Sequence, residues 1–151
     1  MKGTTLSFAV DMGAELLYCG AEIRRVEETM ELILKSYGYD SCSVSATHVN
    51  IVATVSEKDG EPLTKTMRIK GKDTNLHRLE LLNALSRKIC ETKPDISLAR
   101  KELEEIKKKK GSGLLAETIA FAAVGLSYSL SLGGSIGDML TALFSAAITR
   151  I

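Results

Sequence analysis

The residues best able to do chemistry in this sequence are Glu22 and Glu27 with Arg25 between them, the pair Asn83 and Arg87, and Asp138. On a helical projection Glu22 falls at the edge of an apolar face, with Glu27 on one flank of that face and Arg25 on the other. Half-buried carboxylates beside a guanidinium follow. Burial raises a carboxyl pKa and a neighbouring guanidinium lowers it. The cluster therefore reads as a proton-responsive switch, as a substrate clamp, or as a salt bridge tying the helix to its neighbours. Asn83 and Arg87, one helical turn apart, offer an amide and a guanidinium to one inner surface. Such a pair can hold a carboxylate or satisfy buried backbone groups. If Arg87 pairs with Glu22 or Glu27, both are taken up by the fold. Asp138 follows Gly133-Gly134 within an apolar region. An ionisable residue there is a candidate for ion coupling or solute binding, and the glycine pair can unwind a helix to free backbone groups. The competing reading is that Asp138 caps a helix.

Other chemistries are poorly served. His48 and His77 have no second ligand at a metal-binding spacing, and Cys19, Cys42 and Cys90 are odd in number and form no CxxC pair. No metal, cofactor or disulfide framework is expected, and three free thiols suit a reducing cytosol. The sequence holds no G-x-S-x-G, P-loop or dinucleotide-binding glycine pattern. A formal net charge of +1, from 20 basic and 19 acidic residues, gives no field that would draw nucleic acid.

The elements that must position these residues are legible in the hydrophobic pattern. Residues 6–37 are helical in period, with a seam at Gly20 that divides two amphipathic stretches. In the second, Val26, Met30, Ile33, Leu34 and Tyr37 share one face, and Gly38 stops the helix. Strict alternation over Ser41–Thr47 and again through Val49, Ile51, Ala53 and Val55 predicts two strands. The Asp59-Gly60 turn and the alternation of Leu63, Lys65, Met67 and Ile69 predict a third. A helix over 75–90, capped by Asp73 or Thr74, has the inner stripe Leu76, Leu79, Leu82, Ser86 and Ile89. Pro94-Asp95 breaks the chain before a charged helix over 97–110 with Glu105–Lys109 and Glu104–Lys108 pairs. Together they predict an α+β domain, helices packed on a small antiparallel three-stranded sheet, over residues 1–112.

The tail differs in kind. Thr118 to Gly137 is uncharged over 20 residues, long enough at ~1.5 Å per residue to cross a hydrocarbon core of roughly 30 Å. Its glycines, alanines and serines suit close helix packing in lipid, and Lys107–Lys110 before it would hold that side in the cytoplasm. A helix buried in a water-soluble core is the alternative. Residues 113–151 are therefore expected to begin a transmembrane helical region, with one full span and a truncated second. The start of the chain lacks the pattern of a secretory signal, so the preceding domain is expected in the cytoplasm.

Gly20-Ala21-Glu22, Arg25-Val26-Glu27-Glu28-Thr29-Met30 and Tyr37-Gly38 resemble the opening signature of the threonine/serine exporter family, which includes related dicarboxylate exporters. The resemblance continues through Arg68-Ile69, Asn75-Leu76, Asn83, Leu85-Ser86-Arg87, Gly133-Gly134-Ser135 and Asp138. It implies a component of a bacterial inner-membrane secondary transporter that exports small polar acids, driven by an ion gradient. It also implies partners: membrane lipid, and a second membrane subunit or a missing carboxy-terminal half, in an oligomer. The candidate solute or coupling residues are then Glu22, Arg25, Glu27, Asn83, Arg87, Gly133, Gly134 and Asp138. The alternative is a hydrolase-like or small-acid-sensing cytosolic domain tethered to the membrane.

Overall fold

The computed structural model describes residues 2–56, 60–109 and 114–149. Its elements run α1 (Lys2–Tyr18), α2 (Ile23–Ser36), β1 (Ser41–Ala46), β2 (Asn50–Ser56), β3 (Leu63–Arg68), α3 (Leu76–Thr92), α4 (Ile96–Lys108), α5 (Leu114–Ser131) and α6 (Ile136–Thr149). They fall into two compact units, residues 1–109 and 110–151. The boundary expected between residues 112 and 113 lies outside the described residues.

In the first unit the seam at Gly20 is a helix end. The Gly20 N–H donates to the Leu17 carbonyl at 3.1 Å and the Ala21 N–H to the Leu16 carbonyl at 3.0 Å. Gly20 takes φ +93°, the left-handed conformation that this double bond requires and that a Cβ disfavours. The helix before it is no amphipathic surface element. Phe8, Ala9, Val10, Met12 and Cys19 are fully buried, and α1 touches α2, α3, α4, β2 and β3. A helix apolar on nearly every side belongs at the centre of a fold.

The sheet is an antiparallel meander in the order β1-β2-β3, with Val44 opposite Ala53 and Ala53 opposite Lys65. Ile51, Ala53 and Val55 are buried under α1 and α2, while Ser43, Ser45 and Thr64 face outward, as period-2 alternation demands. The Asp59-Gly60 turn falls partly outside the described residues. Helices α3 and α4 pack on the helical layer. The cap of α3 is Asn75, whose side chain accepts from the Arg78 N–H at 2.9 Å, and not Asp73 or Thr74. Its buried stripe is Leu82, Leu85, Ser86 and Ile89, whereas Leu76 is 71% exposed because the cap lies one residue later than expected. The expected Glu105–Lys109 and Glu104–Lys108 pairs give way to Lys107–Glu104 at 2.9 Å and the cross-helix Lys88–Glu102 at 2.7 Å.

The second unit corrects the expectation of transmembrane helices. Among the described residues no helix is long and apolar enough to cross a membrane. The uncharged 20-residue stretch is two elements, since α5 ends at Ser131 and α6 starts at Ile136. Only residues 118–131 of it, 14 residues, lie in α5. The uncharged run is therefore not one continuous helix. The glycine pair enforces the break. The Gly134 N–H donates to the Ser129 carbonyl at 2.9 Å and the Gly133 N–H to the Leu130 carbonyl at 3.0 Å, with Gly133 at φ +70°. A Cβ on Gly134 would come within 2.9 Å of the Ser129 carbonyl oxygen. The hairpin packs closely at Gly125, where a Cβ would meet the Ala142 carbonyl oxygen at 3.4 Å.

Candidate functional site

The candidate residues of the first unit converge where α2 and α3 lie side by side. Two backbone hydrogen bonds fix that juxtaposition at one end: the Asp73 N–H donates to the Tyr18 carbonyl at 2.7 Å and the Asn75 N–H to the Cys19 carbonyl at 3.3 Å. The segment leading into α3 is thus tied to the corner between α1 and α2. At the far end the Tyr37 hydroxyl donates to the Pro94 carbonyl at 2.6 Å. Between the ties, Arg25 and Thr29 stand one turn apart on α2, with Asn83 and Arg87 one turn apart on α3.

Two adjoining cavities occupy this groove. The smaller, about 210 Å³, is lined by Glu22, Arg25, Thr29 and Asn83, with Leu16, Val26 and Leu79 as apolar walls. The larger, about 540 Å³, shares Arg25, Thr29 and Asn83 and continues past Arg87. Glu22 is the N-cap residue of α2 with extended backbone, yet its carboxylate makes no cap hydrogen bond. Among the described residues the side chains of Glu22, Arg25, Asn83 and Arg87 have no hydrogen-bond or ion-pair partner, so Arg87 pairs with neither Glu22 nor Glu27. The salt bridge between helices that the sequence also allowed is not made. The groove is walled by polar groups whose capacity is unspent, while Thr29 and Ser86 are turned back on their own helices, to the Arg25 carbonyl at 2.7 Å and the Asn83 carbonyl at 2.9 Å. Burial pushes the Cys90 thiol, which also lines the groove, upward, against the opposing hydrogen bond from Ser36.

Glu27 belongs elsewhere. Its Oε1 accepts the Ala46 backbone N–H of β1 at 2.8 Å, which satisfies a donor of an edge strand and ties α2 to the sheet. In the second unit Ser135 and Asp138 form a reciprocal cap at the start of α6. The Ser135 N–H and hydroxyl each donate to Asp138 Oδ2 at 2.8 Å. These bonds hold the Asp138 carboxyl below the ordinary carboxylate range. Gly133, Gly134 and Asp138 thus make one helix–turn–helix corner in which the backbone and the carboxylate serve each other.

Sequence reasoning passed over two ion pairs that anchor the site. Arg78 of α3 meets Glu15 of α1 at 3.1 Å, with side chains 14% and 15% exposed, and also donates to the Lys109 carbonyl at 2.9 Å. Arg100 of α4 meets Asp11 of α1 at 2.6 Å. The signal was present: Asp11 and Glu15 are acids inside an otherwise apolar helix, where a carboxylate needs a partner. Beside the first pair, burial and then the Glu15 charge push the Cys19 thiol up to about 11. Among the described residues no three metal-ligating side chains cluster.

A protein-family model described as "Putative threonine/serine exporter" matches residues 7–151. No curated protein and no solved structure matches the chain.

Proposed function

Because this chain belongs to the threonine/serine exporter family, we propose that it is a component of a membrane exporter of small hydroxy amino acids, and that residues 1–109 take up the solute on the cytoplasmic side. The observation that carries this reading is the 210 Å³ cavity lined by Glu22 and Arg25, whose side chains have no partner among the described residues. A free amino acid at neutral pH is a zwitterion. The planar guanidinium of Arg25 suits its carboxylate in two parallel hydrogen bonds, and the Glu22 carboxylate suits its ammonium. The Asn83 amide, with donors and an acceptor free, suits a side-chain hydroxyl, and Leu16, Val26 and Leu79 enclose the aliphatic part. A site built to bond a hydroxyl rejects the isostere that lacks one, because its own polar groups are then left unpaired.

Both charged residues are exposed, so solvent weakens the ion pairs and the complex is weak enough to release its cargo. On this reading export is coupled to an ion gradient, as the family resemblance implies. The crossing path is formed by further helices of the assembly. The hairpin of α5 and α6 packs among them through Phe121, Val124, Tyr128, Leu140 and Phe144, each more than half exposed in this chain alone.

Calorimetric titration of the detergent-solubilised chain tests the reading. L-Threonine and L-serine should bind with Kd on the order of millimolar, about −4 kcal/mol. L-Valine should bind at least about tenfold more weakly, and Glu22→Gln or Arg25→Gln should abolish the threonine heat. Equal binding of valine and threonine, or no heat with either hydroxy amino acid, would sink it.

A further inference from the structure

The larger cavity of the groove has a different chemistry from the smaller one. Among the described residues its wall carries four cations, Arg25, Lys35, Arg87 and Lys93, and no carboxylate. This is a local segregation of charge, because the chain as a whole is nearly balanced, with 20 basic and 19 acidic residues. Lys35 reaches Glu31 at 3.1 Å along its own helix, a pair with side chains 55% and 34% exposed that solvent screens. Among the described residues Arg25, Arg87 and Lys93 have no anionic partner. Like charges gathered in one concave surface repel each other and raise the local concentration of anions. A single carboxylate would neutralise a quarter of this charge. The volume of about 540 Å³ lies within the range of sites for organic ligands well beyond the size of a four-carbon amino acid.

We propose that the groove between α2 and α3 is also a binding site for a multiply charged phosphate compound, held by Arg25 and Arg87 as paired-donor forks and by Lys35 and Lys93 as point charges. Guanidinium planes match phosphate oxygens two at a time, and ammonium groups supply charge without a fixed geometry. The free amide of Asn83 adds neutral donors at the boundary between the two cavities. Because Arg25, Thr29 and Asn83 line both, the phosphate compound and the amino acid compete. This clause rests on the transport reading above, whereas the anion site stands on its cations alone. The consequence is a solute site that a soluble phosphate metabolite, or the phosphate of a lipid headgroup, switches off.

Titration of the solubilised chain with inorganic pyrophosphate, without amino acid, tests the site. Binding should weaken at least about tenfold in the double variant Arg87→Gln/Lys93→Gln. It should change little in Lys72→Gln/Lys101→Gln, which removes the same charge from exposed positions outside the groove. Both pairs are exposed, and an unchanged thermal midpoint would confirm that the variants fold. In a parallel arm, vesicles containing phosphatidylglycerol are mixed with the same three proteins. Pyrophosphate binding with this dependence assigns a soluble ligand. Vesicle binding with this dependence, and none of pyrophosphate, assigns a headgroup. Equal losses in the two double variants, or no binding in either arm, overturn the site. Independent simultaneous binding of threonine and pyrophosphate overturns the competition alone.

Discussion

At the scale of single residues, the difference between Arg25 and Arg78 separates a group proposed to bind from a structural one. Arg25 is exposed and, among the described residues, unpaired, whereas Arg78 is 14% exposed, paired to Glu15 and bonded to the Lys109 carbonyl. Removing one partner of a buried pair strands the other charge. Arg78→Ala should therefore lower stability by about 3 kcal/mol, read as a reduced urea midpoint. The double variant Arg78→Met/Glu15→Leu should recover most of the loss, and a single-variant loss below about 0.5 kcal/mol would mean that solvent screens the pair. The grouping of Glu22 with Arg25 and of Asn83 with Arg87 was legible because Glu22 and Arg25 border one apolar helical stripe and Asn83 lies within another, one turn from Arg87. The role of Glu27 was not. Its partner is a backbone N–H 19 residues away on β1, and helical projection carries no information about strand edges.

At the scale of elements, the strands, the seam at Gly20 and the stop at Gly38 follow from local pattern, since period 2, period 3.6 and left-handed glycines are local signals. The central position of α1 does not. Its residues read as amphipathic because Asp11 and Glu15 mark a polar side, but those acids are met by Arg100 and Arg78 from α4 and α3. The close approach of α1 and α2 depends on Gly13, where a Cβ would lie 2.3 Å from the Met30 sulfur. Met30 is fully buried and has little room to yield. Gly13→Ala should thus destabilise by about 1–3 kcal/mol despite its gain in helix propensity. An unchanged or raised thermal midpoint would show that Met30 repacks freely. The same local reading misjudged residues 118–137, because a window of uncharged residues measures composition and not continuity. The left-handed turn at Gly133 divides the stretch between α5 and α6, and among the described residues neither helix is long and apolar enough to cross a membrane.

At the scale of the whole molecule, charge and apolar surface are distributed to different units. The first buries its apolar side chains in one core around α1, and the second leaves Ile119, Phe121, Val124, Leu132, Ile136 and Phe144 more than half exposed. The sequence announced this division through the scarcity of charge after Gly113. It did not announce the cationic groove, since Lys35 and Lys93 join Arg25 and Arg87 only after two helices are brought alongside.

The fastenings at the two ends of that groove are unequal. Two main-chain bonds near Gly20 act as the pivot of a pair of scissors, and the Tyr37–Pro94 bond is a clasp across the blades. The clasp lies beside Lys93 and is a single side-chain bond, so it is the end expected to part first. Tyr37→Phe should lift it while leaving the pivot intact. Amide hydrogen exchange should then quicken over the last turns of α2 and α3 and stay unchanged at residues 73–75, and a uniform acceleration along both helices would mean that the groove opens from either end. On the binding reading proposed above, one phenolic hydroxyl then sets at a distance how tightly the groove holds its ligand.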